Sequence, residues 1–340
     1  MSDTMKAAIF EGEGKIVLKQ VPVPKIKDDF DVLLKVEAAS ICGTDCQILK
    51  TPPGHPATPG AILGHEYVGQ VLETGKAVSH LKPGDRVAVD PNLTCGLCPY
   101  CRMAMPNMCE NMTTLGIYID GGFAEYNLAP AKALHKIPED LSTDLAIFAE
   151  PLSCVVNGAT KAKLMAGESV VVLGAGPIGL YYTALMKAGG AGKVIVSEVN
   201  AQRADMARKM GADIIVNTDK DSLKDVVMAE TGIGADLVID AVGCLMTEAT
   251  SICRRGARVL LFGMNSSACC ECVQYEITRY ELSIIGTFIS NHSFPAVIRL
   301  LKGGKLPLEK LITHRLKLDD ILDGIEIMKR GEGIEIIVAP

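Results

Sequence analysis

Two rhythms of apolar and polar residues divide the chain. Up to about residue 150, short alternating runs are cut by Pro and Gly. Residues 5–10, 32–38, 67–74 and 86–89 read as strands. Pro52-Pro53-Gly54 and Lys82-Pro83-Gly84-Asp85 are turn signals. No helical period lasts long in this stretch.

From residue 168 the pattern changes. Ser169–Leu173 is a continuous apolar run, followed by a helical stretch over Pro177–Ala188. Strands are then expected at 193–197, 213–217, 236–242, 258–263 and 283–288. Helices are expected at 201–210 and 221–230, the first stopped by Gly211. Strands almost continuous in Val, Ile and Leu, alternating with amphipathic helices, predict a parallel sheet covered on both faces. Crossovers of that length are right-handed, which gives a doubly wound sheet. After residue 290 the pattern reads as a helix at 294–302, a loop, and a last helix and strand within 319–338.

Composition narrows the class. With 340 residues, 48% hydrophobic and 22% charged, the chain can bury a large core, is not disordered, and is long enough for two domains. A net charge of −6 argues against a nucleic-acid partner. The N-terminus lacks a basic stretch followed by an apolar run, so no signal peptide is expected, and no apolar run approaches membrane-spanning length. A cytosolic location follows as an expectation. There the twelve cysteines are read as metal ligands, nucleophiles or small core residues before disulfides.

Gly174-Ala175-Gly176-Pro177-Ile178-Gly179 places G-x-G-x-x-G between a strand and a helix. The first glycine makes the turn, the second lets the backbone approach a pyrophosphate, and the third lets helix and strand pack closely. Glu198 ends the next strand, nineteen residues after Gly179, where an acid bonds the adenosine ribose. A carboxylate there repels a 2′-phosphate, so NAD is expected over NADP. Arg203 either weakens that preference or stacks on adenine. The competing reading is a glycine turn beside a solvated acid, and the βαβ context argues against it.

Cys95, Cys98, Cys101 and Cys109 read C-x2-C-x2-C-x7-C. Four thiolates in one short loop suit a closed tetrahedral zinc. An iron–sulfur cluster uses similar spacing, but its fourth cysteine usually comes sooner and precedes proline, whereas Cys109 precedes Glu110. A second set is scattered: Cys42 in Ile41-Cys42-Gly43-Thr44-Asp45, His65-Glu66 after Gly64, and Glu150 before Pro151. A thiolate, an imidazole and one or two carboxylates suit a zinc that keeps a position open. Each piece alone reads equally well as a turn or a buried small residue. Their weight comes from appearing together.

CGTD, GHE, the four-cysteine lobe, the Glu-Pro pair and GAGPIG occur in the order seen in zinc-dependent medium-chain dehydrogenases. The chain resembles that family along essentially its whole length, closest to the sugar-alcohol and threonine dehydrogenase branch, because Glu150 stands where liver-type enzymes carry a third cysteine ligand. The resemblance implies an α/β protein: a GroES-like β-rich catalytic domain over 1–152, a Rossmann NAD-binding domain over 153–289, and a segment 290–340 completing the catalytic domain. It implies that Cys42, His65 and Glu66 are catalytic zinc ligands, with Glu150 binding directly, through water or in exchange with Glu66. Asp45 then orients His65, and Thr44 takes the substrate proton. The expected cofactor contacts are Gly174, Gly176, Pro177, Ile178, Gly179, Glu198, Arg203 and Phe288. Cys95, Cys98, Cys101 and Cys109 hold the structural ion, making two zinc per chain. The implied reaction passes a hydride from an alcohol to the nicotinamide, with zinc polarising the alcohol oxygen.

Two positions depart from the family pattern. A relay histidine found in many relatives three residues after the Thr is Gln47 here, which cannot carry a proton at neutral pH. An Arg-Tyr pair of sorbitol dehydrogenases is replaced within Phe288-Ile289-Ser290-Asn291, where Asn291, His292 and Ser293 either meet a polyhydroxy substrate or form a plain polar loop. His55, His80, His135 and His314 are read as surface or loop residues. Cys46, Cys154, Cys244, Cys253, Cys269, Cys270 and Cys272 lack ligand spacing and read as free thiols.

The expected function is oxidation of a secondary alcohol in a polyol or sugar derivative, with L-threonine or a vicinal diol as the alternative substrate. A remoter alternative is a non-catalytic zinc- and nucleotide-binding protein. The expected partner is a small alcohol, and the expected state a homo-oligomer, tetramer or dimer, joined along a Rossmann sheet edge at 258–263 or 283–288.

Overall fold

The computed structural model describes residues 3–340; Met1 and Ser2, part of the N-terminus on which the signal-peptide expectation was read, lie outside them. The chain forms two units. The first contains the chain up to Pro151, together with Phe294–Gly303 and Ile312–Pro340. Its ten-residue strand Asp31–Ser40 pairs antiparallel with Glu66–Thr74, which leads to Arg86–Val89 and Leu134–Lys136. On the other side Glu335–Ala339 pairs antiparallel with Asp31–Ser40 and parallel with Ile312–Lys317. The last residues of the chain thus enter the first unit's sheet. Its core reflects that return: Leu34, Leu63, Tyr67 and Phe123 are buried in one cluster with Ile325, Ile336 and Val338.

Two helices of this region matter below. Helix α1 (Gly43–Ile48) follows the long strand. Helix α2 (Ala149–Ala162) starts in the first unit and continues into the second. Its intrinsic helix propensity is lowered by Val155, Val156 and Gly158, poor helix formers. Pro151 is tolerated because the first turn has no intrahelical N–H bond to lose.

The second unit is Leu152–Ser293 with Gly304–Leu311. Six strands form its sheet: β1 (Ser169–Leu173), β2 (Lys193–Ser197), β3 (Ile214–Val216), β4 (Ala235–Asp240), β5 (Cys253–Leu261) and β6 (Ser283–Gly286). Every pairing is parallel, and the spatial order is 3-2-1-4-5-6, the doubly wound arrangement of dinucleotide-binding proteins. Val171, Ile195, Val238 and Val259 lie fully buried across β1, β2, β4 and β5, which explains their unbroken apolar runs. Helix α3 (Pro177–Ala188) follows β1.

Several expectations are corrected. Residues 312–317, read as loop, are a strand; four of the six residues of Ile-Thr-His-Arg-Leu-Lys are polar, and exposure alternates along it because only one side is covered. Residues 304–311, expected with the first unit, belong to the second, where the short helical turn Leu308–Leu311 packs on α3 and buries Leu308 and Leu311. The segment 258–263 is not an edge: β5 lies between β4 and β6, and the two edges of the sheet are β3 and β6. His135 and His314 are strand residues rather than loop residues.

Candidate metal centres and cofactor site

Strand pairing builds the first centre. Ser40 and Glu66 face each other in the antiparallel ladder. Cys42 lies two residues beyond Ser40, and His65 directly precedes Glu66, so the ladder brings two distant segments to one point. One ligand atom each from Cys42, His65 and Glu66 lies within 4.8 Å of the others. His65 and Glu66 are buried and Cys42 is half-buried. Gly64, at φ 91°, lets the chain enter this corner; a Cβ there would stand 2.9 Å from the Phe123 nitrogen and closer still to its ring.

Asp45, fully buried in the first turn of α1, ties the ligands together. Its Oδ2 accepts from the Cys42 backbone N–H at 2.9 Å. Its Oδ1 faces His65 Nδ1 at 3.6 Å, beyond hydrogen-bond length. Neither of these two buried atoms has a hydrogen-bond partner. Ser40 Oγ donates to Glu66 Oε2, a contact no local sequence signal announces. Thr44 Oγ1 is 3.7 Å from Cys42 Sγ. Burial, then the Glu66 charge, pushes the Cys42 thiol up to about 12. Burial raises the Glu66 pKa. For His65, burial opposes the charge, but Cys42 and Asp45 outweigh it and hold the pKa well above its usual value. A half-buried thiol beside a buried imidazole and a buried carboxylate forms a donor set that fits a divalent ion, whose charge would favour the ionised thiol and carboxylate.

Glu150 is buried in the first turn of α2 but is not part of this compact set. Gln47 is exposed. Of the polar loop residues, Ser293 is spent on the fold, donating to the Ser153 carbonyl at 2.7 Å.

The second centre needs no long-range pairing. Cys95, Cys98, Cys101 and Cys109 bring their sulfurs within 4.8 Å of one another. Backbone amides of Leu97 and Cys98 donate to Cys95 Sγ at 3.4 and 3.3 Å, and the Cys95 N–H donates to Cys109 Sγ at 3.3 Å. These amides hold the Cys95 thiol down at about 6. Cys98 is lowered by the amides of Cys101 and Glu110. Cys101 is pushed up to about 12 by desolvation and then by Cys98. Four crowded sulfurs with amides aimed at them fit a closed metal site. The other eight cysteines are also free of disulfides, and Cys244, Cys269, Cys270 and Cys272 are exposed.

The cofactor loop sits at the carboxyl end of β1. A Cβ on Gly179 would lie 1.9 Å from the Gly174 carbonyl oxygen, so α3 packs on the turn at glycine distance only. A Cβ on Gly176 would meet no protein atom within 4 Å, leaving its backbone open to a phosphate group. Glu198 spans two turns: Oε2 accepts from the Ala175 N–H at 2.9 Å and Oε1 from the Asn200 N–H at 2.8 Å. Arg203 Nε is buried without a hydrogen-bond partner. Phe288 lies just past β6, and its carbonyl accepts from Asn157 of α2. Asn157 was not singled out by the sequence; an amide within an apolar helical stretch was its only signal.

Residues 28–139 match the alcohol dehydrogenase GroES-like domain family, and residues 177–303 the zinc-binding dehydrogenase family. An L-threonine 3-dehydrogenase of Bacillus licheniformis is 34% identical over all of both chains. The chain belongs to the zinc-dependent medium-chain alcohol dehydrogenases. A sorbitol dehydrogenase of Bacillus subtilis is 31% identical, over 99% of this chain and 97% of its own. A protein assigned as a zinc-binding dehydrogenase from Sinorhizobium meliloti, solved with NADP, superposes with a TM-score of 0.93 at 34% identity over all of both chains. This medium-chain dehydrogenase therefore has a GroES-like domain and a Rossmann sheet, and it uses zinc and a nicotinamide cofactor. Among the described residues no helix is long and apolar enough to cross a membrane.

Proposed function

We propose that this dehydrogenase oxidises a secondary alcohol of a polyol or sugar derivative to the ketone, with NAD as hydride acceptor. The observation carrying this reading is the convergence of Cys42, His65 and Glu66, with the Thr44 hydroxyl 3.7 Å from Cys42 Sγ. These three residues would hold the catalytic zinc. Glu150 would take part directly, through water or by exchange with Glu66. When bound, zinc supplies Lewis acidity to the substrate hydroxyl. Thr44 accepts the hydroxyl proton. Asp45 fixes the Cys42 backbone and holds His65 in orientation. Gln47 cannot relay the proton further at neutral pH, so its route does not run through the side chain at that position. Cys95, Cys98, Cys101 and Cys109 would hold a second zinc that stabilises the fold.

Glu198 supports NAD, since its carboxylate suits ribose hydroxyls and opposes a 2′-phosphate. Gly174, Gly176, Pro177, Ile178 and Gly179 would cradle the pyrophosphate, with Arg203 and Phe288 at the two ends of the cofactor. NADP is the less favoured alternative, kept in view by the NADP-bound Sinorhizobium neighbour. The threonine dehydrogenase relative favours a second reading, oxidation of L-threonine or a vicinal diol. We further propose a cytosolic homo-oligomer, dimer or tetramer, joined at β6, one of the two edges of the sheet.

The test is NADH formation over a panel of polyols, sugar phosphates, sugar acids, diols and L-threonine. The first reading predicts the highest kcat/KM on a polyol or sugar derivative. A highest kcat/KM on L-threonine or a simple diol establishes the second. No turnover of any member, by zinc-loaded protein that binds NADH, would sink both.

A further inference from the structure

The turn after β6 contains two non-glycine residues in the left-handed region, Ile289 at φ 37° and His292 at φ 52°. A β-branched residue at positive φ persists only where its surroundings impose it. Here the imposing contacts come from α2. Asn157 is buried, and its Nδ2 donates to the carbonyls of Phe288 at 3.2 Å and Ile289 at 2.7 Å. One helical turn earlier, the Ser153 carbonyl accepts from Ser293 Oγ at 2.7 Å. Both ends of the turn are therefore clipped to one helix.

The same stretch carries two buried polar atoms without protein partners, Thr287 Oγ1 and Asn291 Oδ1. Buried polar groups are rarely left unpaired unless a water or ligand meets them. The turn lies at the carboxyl end of β6, and doubly wound sheets take their ligands outside the carboxyl ends of the strands. Asn291 Oδ1 is an acceptor, so its missing partner is a donor such as a carboxamide N–H.

We propose that Asn157 is a positioning residue for the nicotinamide end of the cofactor. Its amide holds the Phe288 and Ile289 carbonyls, and thereby keeps the Phe288 backbone and Asn291 Oδ1 where the nicotinamide carboxamide is received. Asn157 itself touches neither cofactor nor substrate. The proposal rests on the cofactor reading given above.

The test uses the full-length, zinc-loaded protein and two ligands: NADH and ADP-ribose, which lacks the nicotinamide. Asn157→Ala removes the clamp. Asn157→Asp keeps its shape but has no donor for a carbonyl, and serves where the alanine variant folds poorly. Both variants should bind NADH about tenfold more weakly, the worth of one or two neutral hydrogen bonds. ADP-ribose affinity should stay within about twofold of the wild type. Ile289→Gly relieves the strain, so in its background the Asn157→Ala penalty should shrink to about threefold. NADH affinity unchanged in Asn157→Asp, or equal losses for NADH and ADP-ribose, would overturn the proposal in favour of a purely structural role. Wild-type protein that binds neither ligand would instead overturn the cofactor reading, and the proposal with it.

Discussion

Glu198 makes the sharpest demand on the cofactor site. Glu198→Ala removes a carboxylate that bonds the Ala175 and Asn200 amides at 2.9 and 2.8 Å. The residue is only half-buried, so water can replace these bonds and the stability loss should be about 1–2 kcal/mol. The cofactor effect should be larger. A ribose hydroxyl bonded to a carboxylate is worth about 1.5–3 kcal/mol, so the KM for NAD should rise by roughly ten- to a hundredfold. For NADP the sign reverses. A unit charge about 5 Å from the 2′-phosphate, at an effective dielectric of about 40–80, contributes about 1–2 kcal/mol of repulsion per phosphate charge. Removing it should raise kcat/KM for NADP about tenfold or more. Arg203, whose Nε has no hydrogen-bond partner, would then meet the phosphate, so Glu198→Ala/Arg203→Ala should lose that gain. Initial rates with each cofactor, read by absorbance of the reduced nicotinamide, give the ratio directly. A ratio within about twofold of the wild type, in a variant that still melts cooperatively, would refute the assigned ribose contact.

The two metal centres should separate by stoichiometry. Native protein should hold about two zinc per chain. Cys42→Ser should lose about one of them and nearly all turnover while still binding NADH. Cys98→Ser should lose about one as well, but with a large drop in Tm. Gly179→Ala drives a methyl to 1.9 Å from the Gly174 oxygen, so it should destabilise the second unit by about 1–3 kcal/mol and weaken NADH binding, measured by denaturant melts and fluorescence titration. His135 stacks on Phe294 at 4.6 Å, and burial, then His80, lowers its pKa to about 4. Between pH 6.5 and 4 the unfolded chain therefore binds the extra proton and the folded chain does not. Stability should fall as pH drops through that window, by about 3 kcal/mol at most, and change no further from this group below pH 4. His135→Phe should flatten the slope; an unchanged Tm–pH profile would show that the ring ionises freely in the folded state.

Legibility in the sequence tracked how local each feature is. The Rossmann strands were visible because both faces of the sheet are covered, which leaves Val171, Ile195 and Val238 in unbroken apolar runs. The four-cysteine centre was visible because its geometry is carried by fifteen consecutive residues, from Cys95 to Cys109. The set of Cys42, His65 and Glu66 was not visible in this way. Cys42 and His65 meet only because Ser40 pairs with Glu66, and a ladder register leaves no local trace; the family resemblance brought those residues together first. Strand Ile312–Lys317 was missed because its outer positions are polar, and α2 because Val and Gly lower its helix propensity. Ser40 and Asn157, which act on other groups rather than on a ligand, carried almost no signal.

Asp45 shows why so short a helix matters to so large a site. Helix α1 has six residues, too few to be stable alone. Its first turn is held by the Asp45 carboxylate accepting the Cys42 N–H, and the same carboxylate faces His65 across the ladder. The group that starts the helix therefore also lies against both segments proposed to hold the ion. On the proposed assignment, an ion held by Cys42 and His65 would draw both segments together and so favour the helix start beside them. Ion binding and local folding at this corner would then be two descriptions of one equilibrium. Asp45 is fully buried, and its second oxygen, which has no hydrogen-bond partner, faces the His65 ring at 3.6 Å. A charge buried there is offset by the His65 imidazole, whose pKa the Asp45 charge helps to raise, and on the proposed assignment also by the ion that His65 would hold.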